Sequence, residues 1–311
     1  MHANPFASTT MNMPDRQLPV ASNQPLAFAL TCAAVAALST LFSILLSWLQ
    51  DPNYPTYMLH NLPAWIASST AAILLSIVVA ALFVRSYLER HRITFVQPKR
   101  LLLGIGLAML VAKLLFGLLL RWLFEIFYPW LDGLPFDMEW VYGGLQIISF
   151  SLTFLLPLWL GLRLGTKAPA APGTVAGDEA ALLLGLSIIF MGLQLLLSFS
   201  YELRQLHDWS YLMYAGPLLH GTLVFACARH MLPPRLARFK PGRLALTGVL
   251  IFVAWLLAQL LLAGLLVFAA LTSYDALLES LPLTLAGIAA LALLWPLTLF
   301  GLRWIYRAEA A

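Results

Sequence analysis

Charge is scarce in this chain. Asp, Glu, Lys and Arg together make up 10% of its 311 residues, 61% are hydrophobic, and the mean hydropathy is +0.85. A soluble globular domain carries about a quarter charged residues, so that class is excluded and a polytopic membrane protein is predicted. Apolar runs leave no polar stretch long enough for a separate soluble catalytic domain, which confines any function to the membrane bundle and its short loops. Cysteine is nearly absent. Cys32 and Cys227 both fall in apolar runs and read as small buried thiols rather than a disulfide.

Catalytic and cofactor signatures are missing as well. There is no His-Glu-x-x-His, no paired His and Cys spacing that suits zinc, no Gly-x-Ser-x-Gly elbow and no phosphate-cradling glycine loop. His220 is the one histidine at depth in a span, while His60, His91, His207 and His230 lie near span ends or in loops. A bis-histidine haem therefore lacks its second axial ligand, and no cofactor or metal is predicted. The net charge of +4 and the pI near 9.2 would suit nucleic acid, but the basic residues gather at span ends, where they set topology. No nucleic-acid partner is predicted. Membrane lipids are the expected surroundings, and a membrane-protein partner is allowed. The polar first 25 residues lack the early apolar region of a cleavable signal, so the first span is expected to be an uncleaved anchor.

What is present is a series of apolar runs. Eight are long enough to cross a hydrocarbon core of about 30 Å: 26–49, 62–84, 101–124, 141–164, 180–201, 209–231, 244–272 and 281–304. The fold class is thus all-α, a polytopic bundle of eight transmembrane helices. Gly216 and Pro217 predict a break or kink in the sixth span, and Pro157 and Pro296 predict bends in the fourth and eighth. In the eight-span topology 15 of the 18 Lys and Arg residues fall on one side. By the positive-inside tendency both termini are cytoplasmic, in what reads as a bacterial-type inner (plasma) membrane.

The two halves echo each other. Pro98-Lys99-Arg100 enters span three and Pro241-Gly242-Arg243 enters span seven; Gly161-Leu162-Arg163 and Gly301-Leu302-Arg303 close spans four and eight, each after a proline; spans two and six end at Arg85 and Arg229. A tandem four-plus-four repeat is the expectation this supports. The domain plan is a disordered cytoplasmic tail (1–25), a first half (26–164), a flexible Pro-rich linker (165–179), a second half (180–304) and a short tail (305–311).

Lys113 is the residue that most invites a function. It sits in the middle of Arg100–Phe124, where a charge costs several kcal/mol unless it meets protein or a wet cavity. Gln146, Gln194, His220 and Gln259 are the other notable polar residues within spans, and with Lys113 they form the candidate cavity or transport set. On the opposite side Arg121, Glu125, Asp132, Asp137 and Glu139, interleaved with aromatics, form a candidate outer vestibule in a loop expected to lie at the membrane surface. Arg121 and Glu125 are spaced to pair on a helix. Small residues at Gly104, Ala108 and Ala112 predict a close helix contact on the third span. A transporter-like or permease-like bundle is the favoured reading; a non-catalytic sensor, scaffold or complex subunit is the alternative, and an intramembrane enzyme acting on lipid-linked substrates through the outer acids is a third. The sequence names no cargo and no catalytic residue.

Overall fold

The structure is a computed structural model and describes residues 23–131, 138–169, 175–198, 210–233, 235–236, 240–272 and 280–306. Apart from four strands of two or three residues, the described regular structure is helical. In chain order the elements are α1 (Gln24–Gln50), a short α2 (Tyr54–His60), α3 (Leu62–His91), β1 (Ile93–Phe95), α4 (Pro98–Leu131), α5 (Met138–Phe150), a π-helical turn (Ser151–Leu155) and α6 (Leu156–Leu164). Then follow β2 (Lys167–Pro169), β3 (Val175–Ala176), α7 (Gly177–Ser198), α8 (Ser210–Met231), β4 (Arg235–Leu236), α9 (Pro241–Thr272) and α10 (Ser280–Tyr306). Long helices are what lipid demands, because each satisfies its own backbone polar groups.

Seven stretches among the described residues are long and apolar enough to span: α1, α3, Pro98–Leu120 of α4, Gly143–Leu164 through the π turn, α7, Pro241–Leu262 of α9 and Gly287–Ile305 of α10. The chain is an integral, multi-pass membrane protein. The remaining expected span corresponds to α8, which carries Gly216, Pro217, His220, Arg229 and His230 in its 22 residues and is not among the seven.

One end of the bundle is tied together by short strands and hydrogen bonds. At the tied end β1 pairs with β2 and β3 with β4, both antiparallel. The Gln24 side-chain amide forms two hydrogen bonds with the backbone of Phe95, donating to its carbonyl at 3.0 Å and accepting from its N–H at 3.1 Å. Lys240 Nζ donates to the Ile305 carbonyl at 3.5 Å. The stretch expected as a flexible linker, 165–179, therefore contributes strands β2 and β3; residues 170–174 lie outside the described part. The main apolar core occupies the same end, with Phe28, Val84, Leu158, Leu162, Leu184, Leu244, Leu294 and Ile305 almost wholly buried. Towards the far end a smaller cluster joins α3 to α7 through Ala67, Ala71, Leu74, Ile189 and Leu193, while Leu114, Leu115 and Leu118 of α4 and Leu260, Leu261 and Leu265 of α9 are exposed.

Several expectations change. No break interrupts the helix at Pro217 or at Pro296, which is compatible with a kink or bend at either; Pro217 is buried, and a Cβ on Gly192 of α7 would stand 2.9 Å from its Cβ. At Pro157 the ladder does rearrange. The Leu156 N–H donates to the Ser151 carbonyl, one residue farther back than in an α-helix, immediately before the residue that lacks an N–H. The start of the stretch expected as a surface loop is helix as far as Leu131, through Pro129. Among the described residues the first part of the Gly104, Ala108 and Ala112 stripe meets no helix: a Cβ on Gly104 has nothing within 4 Å, and Gly104 and Ala108 are exposed. Its neighbour Gly106 takes the contact instead, since a Cβ added there would stand 3.5 and 3.6 Å from the Thr31 and Val35 side chains of α1, on the face that carries buried Ile105 and Met109.

Candidate functional site

A cavity of about 110 Å³ lies between α1, α3, α4 and the α5–π segment, with Lys113 in its wall. Four helices each present residues one turn apart to it: Cys32 and Ala36 from α1, Ala72 and Ser76 from α3, Met109 and Lys113 from α4, Phe150 and Phe154 from the α5–π segment. This follows from the i, i+4 geometry of a helix face. Thr153, in the π turn, adds a second hydroxyl. Insertion of an extra residue in such a turn re-aims side chains, which is why π turns recur at functional sites.

The lining is largely apolar. Phe150 and Phe154 stack at 4.7 Å between ring centroids, and the Cys32 Sγ lies 4.0 Å from the Met109 sulfur. Ser76 and Thr153 each donate their hydroxyl to the carbonyl one turn back, Ala72 and Ser149, at 2.8 Å. That back-bonding satisfies the protons and leaves the hydroxyl oxygens as acceptors. Lys113 stands at the cavity mouth with much of its surface uncovered by protein. Among the described residues its ammonium has no hydrogen-bond or ion-pair partner.

The structure brings none of the other expected polar residues to this cavity. Gln146 on α5 and Gln194 on α7 are exposed, and Gln259 on α9 is half-buried. His220 on α8 packs its ring against Trp255 of α9 at 4.4 Å, and the Trp255 Nε1 is buried without a partner among the described residues. Of the outer set, Asp132 and Asp137 lie outside the described residues. Arg121 and Glu125 fall in α4 and Glu139 in α5, and the description does not extend to their side chains. Among the described residues no three His, Cys, Asp or Glu side chains are placed to hold a metal ion.

A second charged constellation ties the helices at the opposite end. Arg85 of α3, almost wholly buried, forms an ion pair with Glu179 in the first turn of α7. Its Nε has no partner among the described residues. Asp178, the neighbouring acid, pairs with Arg229 of α8 at 3.2 Å in an exposed bridge. Two consecutive acids at one helix start therefore hold the ends of two other helices, besides favouring the α7 dipole. In the sequence these arginines mark span ends and these acids a helix start; nothing local says that they meet.

Comparison with protein-family profiles, with characterised proteins and with solved structures finds no match for this chain. Function is argued from the geometry alone.

Proposed function

We propose that the protein is a transporter-like membrane protein whose substrate presents an anionic group to Lys113. The observation that carries this reading is an ammonium without a protein partner among the described residues, set in the wall of a cavity inside a spanning bundle. A charge at that depth is costly, and an anionic ligand offsets the cost while it is bound. The small, mainly apolar lining confers selectivity by size, and the π turn supplies a helix able to change register.

The proposal includes an eight-span topology with α8 as the additional span, and with the strand-tied, arginine-rich end on the cytoplasmic side together with both termini, as the distribution of Lys and Arg implies. It also includes a tandem duplication. In its support, α1 packs on α3 and α4, with α6 against α3 and α4, while α7 packs on α8 and α9, with α10 against α8 and α9. Gly106 faces Thr31 and Val35 of α1, and Gly248 of α9 faces Ser187 and Met191 of α7. About two turns beyond these glycines stand Lys113 and Trp255. Under the duplication the second half carries Trp255 and His220 where the first half has its lysine-lined cavity, so each chain holds one substrate site.

Cysteine reactivity tests the reading. With Cys32 and Cys227 replaced by serine, Lys113→Cys in intact membranes should react with a charged methanethiosulfonate reagent at least about tenfold faster than Leu115→Cys, because the reactive thiolate forms where water reaches. Equal rates at the two positions would place Lys113 on a lipid face and remove the transport reading. The alternative, a non-catalytic sensor or subunit docking a membrane-protein partner, draws on the exposed leucines of α4 and α9 and would then take precedence.

A further inference from the structure

Lys113, in the lining of the cavity, lies on an exposed face of α4. Among the described residues α4 packs against the π turn and α6 and not comparably along α5. Among the described residues a Cβ added at Gly117 of α4, or at Gly143 or Gly144 of α5, meets nothing within 4 Å. Leu114 and Leu115 beside the lysine are exposed, and so are Gln146 and Ile147 of α5. In a bilayer these positions border lipid chains.

The cavity restricts what can occupy it. Its volume of about 110 Å³ is well below the roughly 300 Å³ at which pockets for drug-sized ligands begin. The ammonium supplies the one cationic donor in the lining, and the hydroxyls of Ser76 and Thr153 have their protons committed to backbone carbonyls. A monoanion is matched; a dianion leaves one charge uncompensated in an apolar setting. A water-borne ion entering between α4 and α5 must cross hydrocarbon, whereas an amphiphile already in the bilayer keeps its chain there.

From this geometry we infer that the cavity receives the carboxylate of a single-chain amphiphile, which enters sideways between α4 and α5 with its chain left in lipid. The inference rests on the anion-transport reading and names its substrate class. The head group pairs with Lys113, and Phe150 and Leu75 flank the first methylenes.

The test uses the full chain in phosphatidylcholine nanodiscs at mildly alkaline pH, with radiolabelled laurate as probe. Saturable binding is expected, weakened about tenfold or more by Lys113→Met and retained by Lys113→Arg, since the charge-assisted bond survives the second change. Ala72→Phe, which adds bulk to the cavity lining from α3 and leaves the lysine in place, should abolish binding even if Lys113→Met fails to fold. Dodecanol competing as well as laurate would overturn the inference, because the carboxylate would not be what is recognised. Acetate displacing laurate at similar concentration would overturn lateral entry of an amphiphile and leave the anion reading standing. Laurate binding indifferent to both Lys113→Met and Ala72→Phe would overturn both.

Discussion

Replacing Arg85 with methionine removes the buried cation between α3 and α7 while keeping the length and most of the apolar stem of the side chain. Its side chain is 6% exposed and that of Glu179 25%. Removing one member of a buried pair generally costs about 3–5 kcal/mol; Glu179 can partly rehydrate through its exposed quarter, which lowers the figure to about 2–3 kcal/mol. Glu89, one turn along α3, interacts electrostatically with both Arg85 and Glu179, so the variant also leaves two acids facing each other without the cation between them. At about 2–4 °C per kcal/mol for a chain of this order of size, the apparent unfolding temperature in detergent should fall by about 5–10 °C. Arg85→Met combined with Glu179→Leu should recover most of the loss, because an apolar pair of similar volume replaces the ion pair without leaving a charge behind. The readout is retention of the monodisperse species after heating, compared among variants at one heating rate. If the double variant loses the sum of the two single losses, Arg85 and Glu179 are not coupled and the assignment of this pair as a tie between α3 and α7 is wrong.

Other positions give equally direct outcomes. Gly161→Ala places a methyl group inside the van der Waals envelope of Ile105 and should destabilise by about 1–3 kcal/mol through overpacking, with recovery when Ile105→Ala is added; Gly104→Ala, which meets open space, should be neutral under the same thermal assay. Gln24→Ala removes both hydrogen bonds to Phe95 and should cost about 1–2 kcal/mol, visible as faster hydrogen exchange at β1. Arg229→Ala breaks a bridge whose side chains are 60% and 65% exposed and should change stability by less than about 1 kcal/mol.

Much of the architecture is legible because lipid leaves few alternatives. Apolar runs of sufficient length become helices, so expected spans such as 62–84 and 244–272 appear as α3 and α9 with only their ends displaced. Ends are harder: α3 continues to His91 because Arg85, Glu89 and Arg90 are good helix formers outside hydrocarbon as well as inside it. Lys113 is conspicuous in the sequence because charge in an apolar run is rare. Its cavity is not, since Cys32, Ala72, Ser76 and Thr153 are ordinary span residues until four helices converge on them. The π turn has a local cue in Pro157, yet bending and register change are both answers to a missing N–H, and only packing selects between them. Gln146, Gln194, His220 and Gln259 share the polarity of Lys113, but side-chain polarity carries no information about which helices will be neighbours. The pairing of Arg85 with Glu179 is hidden for the same reason.

The most direct measurement is anion flux through the reconstituted chain. Proteoliposomes carrying the protein, Lys113→Met and Lys113→Arg are loaded with a fluorescent alkyl sulfonate, whose head stays charged and does not cross by protonation, and its movement between leaflets is followed by quenching from outside. The account predicts transbilayer movement faster than in empty liposomes, reduced at least about tenfold by Lys113→Met and largely kept by Lys113→Arg. Movement equal to that in empty liposomes, or unchanged by Lys113→Met in folded protein, would contradict it.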